Sequence, residues 1–188
     1  LIDVNYERLD SVTDPVAATE EDAPTIHEER EDNVAFTWSA GYAEEVDRRF
    51  EKAAETVEFT YRNQRIIPNA MEPRGLLAEY DSFTEELTVH LPSQQPFVHK
   101  TIMADVLGHP ERKVRIKAPN IGGVFGSKSG FYPDEAVTAF CAMQVERPVK
   151  WIETRSESFQ ADDHGRGQVI DAEIAVGEND ELLSLIHN

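Results

Sequence analysis

The chain is poor in cysteine, in lysine and in long apolar runs. Cys141 is its only cysteine, which excludes an internal disulfide and any zinc or iron–sulfur site built on several thiolates. Lysine supplies six of the 18 basic residues, set against 36 acidic ones, for a formal net charge of −18. Such a balance excludes nonspecific nucleic-acid binding, which depends on neutralising phosphates, and adhesion to an anionic membrane surface. No apolar stretch approaches the ~18 residues of a membrane-spanning helix. The six histidines form no H-x-H and no i,i+4 pair, so no metal-binding helix face is expected. No basic segment followed by an apolar one opens the chain, so no secretory leader is read and a cytoplasmic location is expected.

What remains is a chain of 188 residues, 40% of them hydrophobic, enough for one ordinary domain or two small ones without disulfide or metal. The acids are spread along the chain. A dense carboxylate surface with few lysines keeps a protein hydrated in molar salt, where repulsion is screened within ~3 Å. The source is therefore expected to be halophilic; the alternative is a mildly acidic surface without salt adaptation. Cation binding is the weakest reading, because the acids lack calcium-loop spacing. Leu1 in place of Met, and an apolar run (Leu182, Leu183, Leu185, Ile186) just before Asn188, lead to the expectation of an internal fragment.

Residues 1–33 open with a short alternating piece, Leu1 to Tyr6. They continue as an acidic stretch with Asp14-Pro15, Glu20-Glu21-Asp22 and Glu28-Glu29, which reads as an extended arm. Residues 34–188 are regular. Strands are expected at 34–38, 56–65, 76–80, 86–91, 113–118, 149–153, 168–176 and 182–187, and helices at 43–54, 96–107, 132–145 and 156–161. Val46, Phe50 and Ala53 form the apolar stripe of the first helix, and Phe97, Ile102, Val106 and Leu107 that of the second. Hairpins are read across Asp81–Thr84 and Gly177–Asp180. The order lacks strict βαβ alternation, so the fold class is α+β, with mixed sheets and packed helices.

The most informative segment is Gly122-Gly123-Val124-Phe125-Gly126-Ser127-Lys128, between a strand and a helix. Glycine there lets backbone N–H groups approach a polar ligand. It is not a nucleotide P-loop, because Ser127 rather than Gly precedes the lysine, and Gly130 and Pro133 delay the helix. It contains no G-x-G either, so it is no dinucleotide fingerprint. On composition alone, a plain glycine turn is the stronger reading.

This segment, with Tyr132-Pro133-Asp134-Glu135, resembles the G-G-x-F-G-x-K element of the molybdenum hydroxylases, the xanthine dehydrogenase/aldehyde oxidase superfamily. More narrowly it resembles their molybdopterin-binding large subunit of the aerobic carbon monoxide dehydrogenase type. Asn69-Ala70-Met71-Glu72-Pro73-Arg74 is similar to that family's N-x-M-E-P-R, and Pro92-Ser93-Gln94-Gln95-Pro96 to its S-x-Q-x-P-like segment. Arg147-Pro148-Val149-Lys150-Trp151 and His164-Gly165-Arg166 are similar to its R-P-V-K-W and H-G-R. Each motif is weak alone; five in the right order over nearly the whole chain are specific.

The resemblance implies that residues 34–188 are part of a molybdopterin-binding domain. It also implies that the pterin dithiolene, not a side chain, holds the molybdenum. The loop Gly122, Gly123, Val124, Phe125 and Gly126 would approach the cofactor through backbone amides, and Gln94 would donate a hydrogen bond to an oxygen on the metal. Without it, Gln94 is a polar residue before a helix and Phe125 a core aromatic. The whole enzyme would oxidise a small substrate (carbon monoxide, an aldehyde or a heterocycle) with water as the oxygen source. Its cofactor would be molybdenum–molybdopterin in the cytosine dinucleotide form. Electrons would leave through 2Fe-2S clusters on a small subunit and FAD on a medium subunit, these and the rest of the large subunit being the partners. Purine-oxidising relatives carry Glu where Ser129 stands, which disfavours a xanthine-type substrate. The family's glutamate base and substrate loop lie downstream of this region, so the fragment alone is expected to be inactive.

Two alternatives remain open: a folding or assembly module that binds no cofactor, and a free-standing phosphate or nucleotide binder. Cys141, among Val137, Phe140 and Met143, reads as a buried small hydrophobe. Glu72 and Arg74 read as a structural ion pair or as contacts to a neighbouring segment, and His164-Gly165-Arg166 as a cleft lining or a helix end. The salt reading has its own test: the thermal midpoint should rise by several degrees between low salt and molar KCl, and an unchanged midpoint removes it.

Overall fold

The computed structural model describes residues 3–187. Leu1 and Ile2, which open the alternating piece read at 1–6, lie outside the described residues, as does Asn188. The chain divides into two compact units, one of residues 66–165 and one of residues 1–65 with 166–188. Among the described residues no helix is long and apolar enough to cross a membrane.

In the second unit, helix α1 (Ala43–Phe50) precedes a three-stranded antiparallel sheet of β1 (Glu55–Asn63), β6 (Gln168–Val176) and β7 (Leu182–His187), with β6 central. The helix ends short of the expected Ala54 because the sheet claims the chain: Ala54 N donates to Val176 O at 2.8 Å, opening the β1–β6 ladder. Arg49 ties α1 to β7 through Leu183 O at 2.9 Å. Val57, Phe59 and Tyr61 share a face, as their alternation requires, and are 45–53% exposed. The strand expected at 34–38 does not form. No neighbouring strand pairs with it, and Phe36 and Trp38 are exposed; an unpaired segment leaves its ladder groups to water. The acidic arm is irregular and exposed apart from a 3-10 turn at Ala17–Thr19. Asn33 gathers it, accepting from Ile26 N and donating to Ala18 O and Pro24 O.

The unit of residues 66–165 holds the main core. Its sheet has the order β4 (Val114–Lys117), β3 (Glu86–His90), β2 (Gly75–Asp81), β5 (Val149–Ile152). The β3–β4 pair is parallel and the others antiparallel, so the sheet is mixed and the α+β assignment stands. Helix α2 (Pro96–Val106) makes the parallel crossover, and α3 (Pro133–Val145) packs on β2 and β5. The register aligns one apolar stripe across the strands, with Leu76 opposite Trp151, Ala78 opposite Val89 and Val149, and Leu87 opposite Val114. Leu87, Val89, Met103, Ala139 and Ala142 are fully buried in this stripe and its helices; each large side chain among them contributes roughly 1.5–3 kcal/mol. Asp81 Oδ1 accepts from Phe83 N and Thr84 N and turns β2 into β3.

The helices bury faces that the sequence pattern singled out only in part. In α2 the buried side chains are His99, Met103 and Ala104; of the expected stripe, Leu107 packs half-buried on the core and Ile102 is half-buried, while Phe97 is 84% and Val106 57% exposed. In α3 they are Glu135, Thr138, Ala139 and Ala142; Val137 and Phe140 are exposed and Cys141 is half-buried. Small residues let α3 lie close on β2, which turns its larger apolar side chains outward. The short helix α4 (Arg155–Ala161) starts one residue before the expected Ser156. Thr154 and Glu157 form a reciprocal capping box that fixes the start there.

Candidate cofactor-binding site

Residues 69–74 hold the unit together. Glu72 and Arg74, on either side of Pro73, reach different neighbours and do not form an ion pair with each other. Arg74, 2% exposed, meets Asp134 through both terminal nitrogens at 2.9 and 3.1 Å, Glu153 at 3.1 Å and Asp162 at 2.5 Å. Its own N–H donates to Glu153 Oε1 at 2.6 Å, and its guanidinium stacks 3.6 Å over the Tyr132 ring. Burial opposes its charge, but hydrogen bonds to Asp134 and Asp162 and the charges of Asp134 and Glu153 outweigh it, so its pKa is raised. From the other side, Arg155 donates to Asn69 Oδ1, Ala70 O and Met71 O at 2.7–3.1 Å.

Glu72 reaches the glycine loop. Its Oε2 accepts from Gly122 N and from Lys128 Nζ, both at 2.8 Å, and its N–H donates to Gly122 O at 3.1 Å. One carboxylate thus clasps both ends of the loop. Burial works against its charge, yet the bonds from Lys128 and Gly122 hold its carboxyl below the usual carboxylate range. Residue 122 has to be glycine: an added Cβ would stand 2.6 Å from Glu72 Cβ. Gly123 adopts φ +105°, open only to glycine, and an added Cβ would meet Phe125 at 3.2 Å and Ala70 at 3.3 Å. Phe125 follows at φ 50° and is 73% exposed, so it is not the core aromatic its residue type suggested. A left-handed backbone turns its side chain out of the unit.

The far end of the loop is fixed too. Tyr132 Oη donates to Ser127 O at 2.7 Å and accepts from Asp163 N at 3.1 Å. Burial pushes the Tyr132 hydroxyl up to about 12, so it stays a donor. Lys128 is 3% exposed and committed to Glu72, which leaves it unable to clasp a nucleotide phosphate.

Between these anchors the N–H groups of Gly123, Val124, Phe125 and Gly126 donate to no protein acceptor among the described residues. Gln94 is tied to the end of the same segment, its N–H donating to Lys128 O at 2.9 Å. The fold thus joins the Gln94 backbone to Lys128, the last residue of the glycine segment. A run of free amides, half-buried at Gly123 and Val124 and exposed at Phe125 and Gly126, with no side chain at positions 123 and 126, suits the electronegative edge of a pterin cofactor. Among the described residues no three His, Cys, Asp or Glu side chains gather to hold a metal, so a metal here would have to come with its own organic ligand. The donor set fits such a group.

The profile of the molybdopterin cofactor-binding domain matches residues 26–188. The chain belongs to that family. It is 34% identical over 98% of its length to the carbon monoxide dehydrogenase large chain of Hydrogenophaga pseudoflava, covering 24% of that protein. It is 30% identical, again over 98%, to the nicotine 6-hydroxylase large subunit of Paenarthrobacter nicotinovorans, of which it covers 22%. Among solved structures, a Cu,Mo-CO dehydrogenase superposes with a TM-score of 0.89 at 29% identity, over 98% of this chain and 25% of that one. Quinoline 2-oxidoreductase from Pseudomonas putida 86 superposes with a TM-score of 0.86 at 28% identity, over 98% and 23%. The chain thus spans about a quarter of the length of the relatives it matches.

Glu153, Asp162 and His99 carried no signal in the sequence: the first two became partners of Arg74 only through the fold. Ser93 and Glu135 lay in the quoted motifs, but only the fold groups them, buried, with His99. The capping box at Thr154 was readable as T-x-x-E.

Two outcomes follow for stability. Arg74→Met strands three carboxylates and should cost about 3–5 kcal/mol in urea unfolding at neutral pH. Glu135 is pushed up to about 8 from 4.5, by burial first and then by the charge of Asp134. The folded state therefore binds more protons between those values, and this group's effect is to lower stability as pH rises through that window. Glu135→Gln should gain on the parent as pH rises from about 5 to about 9, read as the difference in unfolding free energy at each pH.

Proposed function

We propose that residues 93–95 and 122–128 form the cofactor-facing wall of a molybdenum hydroxylase large subunit of which this chain is part. The observation that carries the reading is the run of unpaired amides from Gly123 to Gly126, in a segment whose end is tied to Gln94 by the Gln94 N to Lys128 O bond. When bound, the molybdenum–molybdopterin group, in its cytosine dinucleotide form, would supply two-electron oxidation of a small substrate, with water as the source of the oxygen and the metal as the acceptor of the two electrons. The chain's own part is to bind and orient it. The amides of Gly123, Val124, Phe125 and Gly126 donate to its electronegative edge, and the Gln94 carboxamide donates toward the metal centre. Glu72, Tyr132 and Arg74 hold those donors still, so that no reorganisation is needed when charge develops. Gly122 serves as the clasp for Glu72.

The same reading extends to the complete enzyme. Carbon monoxide, an aldehyde or a heterocycle is the substrate class, supported by the carbon monoxide dehydrogenase and nicotine 6-hydroxylase large subunits among its relatives. Partner subunits, small and medium, would carry the 2Fe-2S clusters and FAD that take up the electrons. The segment by itself does not turn over substrate, because the family's general base has no counterpart in it.

In the full-length large subunit, Gly123→Val and Glu72→Ala should each lower retained molybdenum about tenfold or more by elemental analysis, with the circular dichroism spectrum kept. Full molybdenum content in both variants would sink the reading.

A further inference from the structure

We propose that a buried chain of Ser93, His99 and Glu135 sets the turn that presents Gln94, and that Glu135, at its far end, is a positioning residue. The inference rests on the reading of Gln94 and the glycine loop as cofactor-facing.

Gln94 is exposed, and among the described residues its carboxamide makes no hydrogen bond; its backbone is what is fixed. Gln94 N donates to Lys128 O at 2.9 Å on one side. On the other, Gln95 N donates to Ser93 Oγ at 2.9 Å, closing a tight turn with Gln94 at its tip. Ser93 Oγ lies 2.8 Å from His99 Nδ1, and that nitrogen also lies 3.1 Å from Gln95 O. A backbone carbonyl can only accept, and from that contact we assign the proton to Nδ1, pointing into the turn. In the neutral ring the bare Nε2 then faces Glu135 Oε2 at 3.5 Å.

All three side chains are at most 4% exposed, and Glu135 Oε2, with His99 Nε2 as its neighbour at 3.5 Å, has no hydrogen-bond partner among the described residues. A carboxylate facing a bare imidazole nitrogen would repel it, and an imidazolium–carboxylate pair would need two charges desolvated together. A protonated Glu135 resolves both difficulties by donating to Nε2. The burial that raises its pKa works in the same direction. The chain then has one sense: Glu135 fixes the His99 tautomer, and His99 fixes Ser93 and Gln95. A buried acid without an ion pair, placed where an apolar residue would pack, is accounted for by this role.

Hydrogen–deuterium exchange on the full-length large subunit, with and without cofactor, tests it. Glu135→Leu and His99→Phe should speed exchange at residues 93–95 about tenfold, with residues 87–90 and 139–142 unchanged. Glu135→Gln, whose amide can still donate to Nε2, should remain within about twofold of the parent. Unmoved exchange at 93–95, or an even rise across β3 and α3, overturns the relay and leaves Glu135 a core residue. Cofactor loading of the parent is read separately, at residues 122–128. Absence of protection there overturns the cofactor-facing reading itself, whatever the turn does.

Discussion

Arg74 joins segments of the chain that lie far apart in sequence. It leaves the start of β2 and reaches the first turn of α3 through Asp134, the end of β5 through Glu153, and the end of α4 through Asp162. A planar guanidinium with five donors is the only side chain that can serve three carboxylates at once while stacking on Tyr132. Each carboxylate would be costly to bury alone; together they need one well-placed cation. The apolar stripe of the sheet supplies the core's free energy, but it does not say where the loops between elements must lie. The arginine cluster does, because charged groups in a dry interior tolerate little displacement.

The glycine loop inherits its position from that cluster through a single proline. Pro73 stands between Arg74, locked in the core, and Glu72, whose carboxylate holds Gly122 and Lys128. Tyr132 stacks on Arg74 and also fixes Ser127 O. Both ends of the loop thus trace back to one residue, while its middle stays open. That is the arrangement a cofactor wall requires, since donors that need not reorganise are worth more than donors that do. The acidic character of the chain does not conflict with the proposed reading: the surface it would offer a cofactor is backbone N–H, and Lys128 is paired with Glu72.

Legibility in sequence followed the range of the interactions. The hairpins were readable because turn chemistry and alternation are local. Most of the helices were too, with Pro133 marking the start of α3. The family was readable because five short motifs in order carry chemistry that only a limited set of residues can perform. The helix faces were readable only in part. Both α2 and α3 are apolar on several sides, and which side is buried depends on how close β2 and β4 allow each helix to come. Residues 34–38 show the converse: a β-rich composition gives no strand when no neighbour is there to pair with it.

The sequence by itself determined the fold class, most of the elements and the family, as well as the glycine loop and Gln94 as the residues to watch. These depend on spacing and residue type, which are properties of the chain alone. Only the tertiary structure decided the partners. Glu72 goes to Lys128 and Arg74 to three acids, Phe125 turns outward, and His99 sits between Ser93 and Glu135. Those pairings span up to 88 residues. A charge names the kind of partner it needs and not the one it will meet; the packed core makes that choice.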